Sequence, residues 1–370
     1  MTYAQVQINN AMLKKCFLAV WRRSKISHHW SSQKRTFMKT TRQLYCQYLM
    51  SSNNNYTATN LSNHYQGLSH DSITRFLSKE HLTPSMLWVK VKPLLAHNKD
   101  ACIIIDDSVM DKSYSNKIDG VQKQYSGNAH GIIKGIGVVN MLYYNPSINR
   151  YWLIDFRIYD TSKDGKTKID HVNEMLSLAN ERGVIYATVL MDTWYATSQI
   201  MVRLQNENKI FYCPIKTNRK VDDSNGINPY KAVEKLVWTQ EELRSGKTIK
   251  IWKTSKHMKV KLFRVMVSNQ TEYIITNDVS QVSADEALIK SSMRWKIEQL
   301  HREEKQLTGI EKCQCRTNRS QRNHILCSAL VWLFMANVAH QNSTTTYQVK
   351  YNLWKEYLTN QLKYPKLLFA

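Results

Sequence analysis

Two short apolar runs that each stop at an acid set the tightest limit on what this chain can fold into. "ACIIIDD" (residues 101–107) and "VIYATVLMD" (residues 184–192) carry apolar and β-branched residues on consecutive positions, which suits a strand covered on both faces. A carboxylate at the carboxyl end of a core strand is costly to desolvate unless it meets a cation or a ligand. In open α/β sheets that end is also where ligands bind. Asp106, with Asp107 as its alternative, and Asp192 are therefore candidate site residues, and capping of the following helix or turn is the competing structural reading for each.

The segments around these runs predict the rest of the core. "GIIKGIGVVNMLYY" and "RYWLIDFRIYD" read as strands on either side of the turn "NPSINR". Ile169, Val172, Met175, Leu176 and Ala179 have helical spacing, a second helix covers residues 198–206, and "KIFYCPIK" is a further strand. Three strands, helix, strand, helix, strand gives a mixed α/β fold, a sheet flanked by helices, over residues 101–216. Residues 217–283 hold polar strands ("KTIKIWKTS", "VKLFRVMVS", "EYIITND") and read as a β-rich insertion. A long helix then starts at Ala284 and a second, apolar one runs from about Gln321 to His340. These return the chain to the core over residues 284–345, with residues 346–370 as a C-terminal tail. The apolar run at residues 325–339 is shorter than the ~20 residues needed to cross a bilayer, so it predicts a buried helix and no membrane partner.

Charge says what such a fold meets. Against 29 Asp+Glu stand 52 Lys+Arg, a net +23, which favours a polyanionic partner and above all nucleic acid over a merely basic soluble protein. Seven scattered cysteines without a C-x-x-C pair suggest free thiols in a reducing compartment, and Cys313-x-Cys315 with His324 lacks the usual zinc spacing. The N-terminus has no continuous apolar segment ending in a small-residue cleavage site, which argues against secretion and for a cytoplasmic protein. Met38 offers a start for a shorter product.

Residues 1–100 read as helical and DNA-binding. Within them two short helices flank a turn at Gly67, the second capped by Ser69 and ending before Pro84, as in a helix-turn-helix. That second helix would offer His70, Ser72, Thr74, Arg75 and Lys79 to DNA while Ile73, Phe76 and Leu77 pack inward; a helical hairpin that binds nothing is the alternative.

The stretch "RWKIEQLHREEK" (residues 294–305) supplies a third acid. Arg294, Glu298 and Arg302 lie four apart and Lys305 three further, so they share one helical face beside the apolar stripe Met293, Ile297 and Leu300. Glu298 sits at the seam, whereas Glu303 and Glu304 are expected in solvent. Three converging carboxylates repel one another, and Mg²⁺ or Mn²⁺ relieves that with hard oxygen ligands. Two such ions suit phosphodiester chemistry, and Arg294, Arg302 and Lys305 would hold the phosphates.

This stretch resembles the signature helix of the DDE transposases of bacterial insertion sequences, in the branch marked by a Tyr-Arg-Glu-Lys motif. Arg294, Glu298 and Lys305 match, while the tyrosine position falls at Ser291, a departure from the pattern. "IIIDDSVMDKSYSNKIDGVQKQYSG" is similar to the family's first-acid block, where an Asp is followed two residues later by Ser or Thr, which favours Asp106 with Ser108 and keeps Asp107 as alternative. "VLMDTWYATSQIMVRL" resembles the second block and points to Asp192. The resemblance spans about residues 100–340. It implies an RNase H-like core that binds two metal ions through Asp106, Asp192 and Glu298. It also implies an enzyme that recognises terminal inverted repeats of double-stranded DNA, cuts the ends and joins 3′-hydroxyls to target DNA as a homodimer. Trp194 and Trp295 flank the second and third acids; core packing is the favoured expectation for both, with stacking on a flipped base as the alternative.

Overall fold

A computed structural model describes residues 39–364 except 116, 128 and 255–257, so the helical reading of residues 1–38 and the start at Met38 lie outside the described residues. The chain opens with four short helices, α1 (Arg42–Ser51), α2 (Ala58–His64), α3 (His70–Lys79) and α4 (Pro84–Val91). Helices α2 and α3 form the expected hairpin. Gly67 takes φ +83°, the Ser69 hydroxyl accepts from Ser72 N, and Ile73, Phe76 and Leu77 are buried.

The sheet is mixed. Strand β1 (Cys102–Asp111) runs antiparallel to β3 (Gly131–Asn145), which on its far edge pairs with β2 (Gln122–Ser126) and β4 (Arg150–Tyr159). On its other side β1 is parallel to β5 (Thr188–Met191), and β5 is parallel to β6 (Ile210–Pro214). Helix α5 (Lys168–Glu181) leads into β5, and α6 (Ser198–Asn206) makes the β5–β6 crossover. The order β4-β3-β1-β5-β6, with helices on the faces, is the RNase H-like arrangement that the resemblance implied. Ile103, Ile104 and Ile105 are fully buried on this central strand, as β-branched residues covered on both faces should be.

Two expectations change. First, β1 does not stop at its acids: it continues to Asp111, paired with β3 throughout, and only its parallel pairing with β5 ends at Ile105. Second, the β-rich segment extends the core sheet. Strands β7 (Lys220–Asp222) and β8 (Lys231–Ala232) come first, then helix α7 (Gln240–Ser245). Strands β9 (Lys247–Ile251), β10 (Val260–Val267) and β11 (Gln270–Thr276) follow, and β11 pairs directly with β6.

The helix expected from Ala284 is broken. Helix α8 (Ala284–Ser292) ends at Met293, and α9 (Trp295–Glu303) restarts after a turn at Met293 and Arg294 and passes into a π-helical turn at Glu304–Thr308. Gly309 closes that turn at φ +65°, with the Tyr56 ring packed where a Cβ would stand. Helix α10 (Asn318–Gln341) is long and apolar enough to cross a membrane, but two thirds of its apolar window is buried and Leu326, Trp332 and Met335 are fully enclosed: it is a core helix. Helices α1, α3 and α4 pack on it, and the C-terminal segment forms helix α11 (Thr346–Lys363) against it. Asn323 joins α10 to the hairpin: its amide donates to the carbonyls of Leu77 and Glu80 at 2.7 Å and accepts from Leu82 N at 3.1 Å.

Candidate active site

Alternation along β1 sends Asp106 and Asp107 to opposite faces of the sheet. Asp107 is engaged by a buried tyrosine and a lysine: the Tyr195 hydroxyl donates to Oδ1 and Lys168 Nζ to Oδ2, each at 2.6 Å. Asp106 faces α9, where its carboxylate, that of Glu298 and a ring nitrogen of His301 all lie within 4.8 Å of one another. Asp192 stands one strand over. Because Ile105 pairs with Met191 in the parallel ladder, Asp106 and Asp192 leave neighbouring strands at the same level.

Burial pushes the Asp106 carboxyl well above the usual carboxylate range, and the charges of Asp107, Glu298 and Asp192 add to that, against a smaller opposing effect of Arg294. Adjacent acids at the end of a buried ladder, with one carboxyl this reluctant to ionise, are what a divalent cation stabilises, and the donors are mostly hard oxygens. The residues present therefore fit a divalent metal.

His301 was not singled out in the sequence, although the Glu298-x-x-His301 spacing puts both on one face of α9. It is buried, and its Nε2 bonds the Asn140 side-chain amide at 3.0 Å. Asn140 lies directly across the β1–β3 ladder from Asp106, so the imidazole is fixed from the strand that also backs the acid. Burial, assisted by nearby Lys305, pushes the imidazole down to about 3 and keeps it neutral.

The cations read onto the Glu298 face separate. Arg294 reaches Glu298 Oε1 at 3.3 Å and stacks on Trp295, its guanidinium 5.0 Å from the ring centroid. Arg302 is exposed. Lys305, shifted by the π turn, donates to Val109 O at 3.0 Å and pairs with Glu311 at 2.8 Å. Ser291, at the tyrosine position, is buried.

Glu303 and Glu304 are not in solvent: both are buried. The Trp332 indole donates to Glu303 Oε2 at 2.7 Å and Gln299 to Oε1 at 2.9 Å, while Glu304 Oε1 has no partner. The expectation of core packing for the two tryptophans is also overturned. Trp194 is 50% and Trp295 58% exposed, and Lys168 Nζ lies 5.4 Å from the Trp194 ring centroid. Both rings are therefore about half exposed, with Lys168 over Trp194 and Arg294 over Trp295.

On α3, His70, Arg75 and Lys79 are exposed, whereas Ser72 turns inward and its hydroxyl accepts from Thr40 N at 3.2 Å. Arg75 and Lys79 border an open cleft whose other wall is Arg316 and Ser320. The His324 ring is used structurally, with Nδ1 at 2.9 Å from the Tyr45 hydroxyl and Nε2 at 3.0 Å from Gly309 O.

Comparison with known families agrees with this geometry. Residues 33–232, more than half of the chain, match the DDE superfamily endonuclease model, and residues 153–334 match the transposase DDE domain. The first span contains Asp106 and Asp192, the second Asp192 and Glu298. No curated protein shows significant similarity to the chain. Enzymes of this superfamily act on DNA and use divalent metal ions. The chain belongs to the DDE superfamily, as a protein of the transposase type.

Proposed function

We propose that the chain is the transposase of a bacterial insertion sequence, a mobile element, and works in the cytoplasm at the nucleoid. It binds the terminal inverted repeats of double-stranded DNA, cleaves the ends and joins the freed 3′-hydroxyls to target DNA. The observation that carries this reading is the meeting of Asp106 with Glu298 beside Asp192 on an RNase H-like sheet. Asp106, Asp192 and Glu298 would hold Mg²⁺ or Mn²⁺, two ions in all. When bound, such ions supply Lewis acidity at the phosphodiester and a lowered pKa for the attacking hydroxyl.

The protein's own groups then have separate tasks. Arg294 holds Glu298 in place and screens the acids. Arg302, exposed one turn further along α9, is placed to take a DNA phosphate. Lys305 reaches the same surface only by leaving Glu311, and it fixes the β1 edge until then. Arg75 and Lys79 contact end DNA from α3. A homodimer would hold two ends together.

A plasmid carrying the DNA that flanks the coding region tests this reading. Wild-type protein with Mg²⁺ is expected to nick it at inverted repeats, and Asp192→Asn to bind the ends almost as well while nicking falls to background. Unimpaired nicking by Asp192→Asn removes the mechanism. Pre-cut ends supplied with a target plasmid separate transposition from simple endonuclease action: joined products support strand transfer, and cleavage without joining supports a nuclease.

A further inference from the structure

We infer that the cleft between α3 and residues 315–320 clamps the phosphate backbone of DNA, with Arg316 as a third cation beside Arg75 and Lys79, and that α3 positions a duplex without reading its bases. The inference rests on the DNA-binding reading of α3 and goes beyond it, because Arg316 lies outside the helical hairpin. The cleft joins two elements. Arg75 and Lys79, one turn apart on α3, line it with Thr74 and Ser78, and Arg316 and Ser320 line it from the segment that opens α10. Asn323 fixes the junction through the carbonyls of Leu77 and Glu80 at the end of α3. The charge of the cleft is unmatched. Arg75, Lys79 and Arg316 are exposed, and none has an ion pair among the described residues. Asp71, the acid on the lining, is 84% exposed and lies 3.6 Å from His70, so it offsets at most one of them. From Lys312 to Lys355 the sequence holds no Asp or Glu, and the α10 side brings no counter-charge of its own. Cations gathered in this way repel one another, and an anion between them relieves that.

Two features select the backbone over base edges. The hydroxyls on the lining are already used within the protein: Thr74 Oγ1 donates to His70 O and Ser78 Oγ to Arg75 O, each at 3.2 Å, and Ser320 Oγ bonds Thr317 Oγ1 at 2.8 Å. Base readout needs a fixed pattern of donors and acceptors, whereas Arg and Lys side chains suffice for phosphates. The second feature is room. A helix of about 10–12 Å diameter fills a major groove about 12 Å wide, which leaves no space for another element beside it. Residues 315–320 are such an element, set along the face that carries Arg75 and Lys79. That face therefore meets a duplex along its phosphates, where a guanidinium fork from each of Arg75 and Arg316 suits the phosphate oxygens.

The test uses the full chain without divalent metal and two duplexes of equal length, one taken from the DNA that flanks the coding region and one with that sequence scrambled. Affinities are read by fluorescence anisotropy over a series of salt concentrations. Arg316→Ala and Arg75→Ala are each expected to weaken both duplexes by the same factor, about five- to tenfold at roughly 0.1 M salt, and to lower the salt slope by about 0.9. Arg316→Lys, which keeps the charge, should restore the slope. Unchanged affinity and slope in Arg316→Ala, with Arg75→Ala still weakened, would overturn the clamp and leave α3 as a DNA contact. A loss in Arg75→Ala confined to the flanking duplex would mean that α3 reads bases, which also overturns it. Binding of neither duplex by the wild type would instead overturn the DNA-binding reading itself. Should the variants fail to fold by circular dichroism, the wild type still decides. Cys315 lines the same cleft, and its alkylation by iodoacetamide, followed by mass spectrometry, should slow when either duplex is bound; an unchanged rate would overturn the clamp.

Discussion

The Tyr195 hydroxyl donates to Asp107 Oδ1 at 2.6 Å from a ring that is fully buried. With Lys168 on the other oxygen, this makes Asp107 the anchor of the loop after β5, on the face of β1 away from Glu298. Tyr195→Phe removes one donor from a carboxylate that is largely enclosed, which should cost about 1–3 kcal/mol in urea unfolding. Mn²⁺ affinity should be unchanged in Tyr195→Phe and greatly reduced in Asp106→Asn. If Tyr195→Phe lowers Mn²⁺ affinity as far as Asp106→Asn does, the two faces of β1 are not independent.

Arg75 and Lys79 have exposed side chains on a helix whose apolar face is sealed. Reversing both charges should weaken binding to inverted-repeat DNA and flatten the plot of log affinity against log salt by about two phosphate contacts, each worth about 0.9 in slope. Equal binding and an unchanged slope would place the DNA-reading surface elsewhere.

Burial, with the charge of Glu303 adding to it, pushes Glu304 up to about 8. The sign follows by linkage. Between the ordinary carboxylate range and about 8 the folded protein keeps a proton that the unfolded chain has released, so stability falls as pH rises through that window and levels off above it. Glu304→Gln cannot ionise, and its unfolding free energy should decline less between pH 5 and pH 8 than that of the wild type. Parallel curves for the two proteins would show that Glu304 is ionised in the fold.

Lys350 is a buried cation on α11 that donates to Leu49 O at 3.2 Å, Ser52 O at 2.6 Å and Leu307 O at 2.9 Å. It ties the C-terminal helix to the end of α1 and to the π turn. Lys350→Met leaves three carbonyls short of a donor, and a loss of about 2–4 kcal/mol is expected. Hydrogen exchange should quicken in α11 and in the π turn together; faster exchange in α11 alone would mean that the lysine is not the link.

The sequence carried the apolar strands and missed what depends on distant partners. β1, β3, β4, β5 and β6 were legible because apolar runs on consecutive positions suit a covered sheet. β2 was not, since "QKQYS" is a polar strand on the outer edge of β3. Periodicity runs without interruption through residues 284–305, so neither the break at Met293 nor the π turn showed in it. Glu303 looked solvated because its donor Trp332 is a neighbour only after α10 folds back across the sheet. Of the site, Asp106, Asp192 and Glu298 stood out by position; the spacing to Ser108 favoured Asp106 over Asp107, and alternation along the paired strand then puts the two on opposite faces. His301 was visible as spacing, but its value lies in Asn140, which no local pattern connects to it.

Asn323 has a mechanical consequence. The same α10 that accepts the Tyr45 hydroxyl through His324, and through that ring grips the end of the π turn at Gly309, also clamps the carbonyls that finish α3. The exposed face of α3 and the carboxylate of Glu298 are thereby mounted on one rigid beam instead of on modules joined by a tether. Under the proposed function, a duplex gripped at Arg75 would meet the acids at a span set by the adjacent residues Asn323 and His324 of α10, and so at a set number of base pairs.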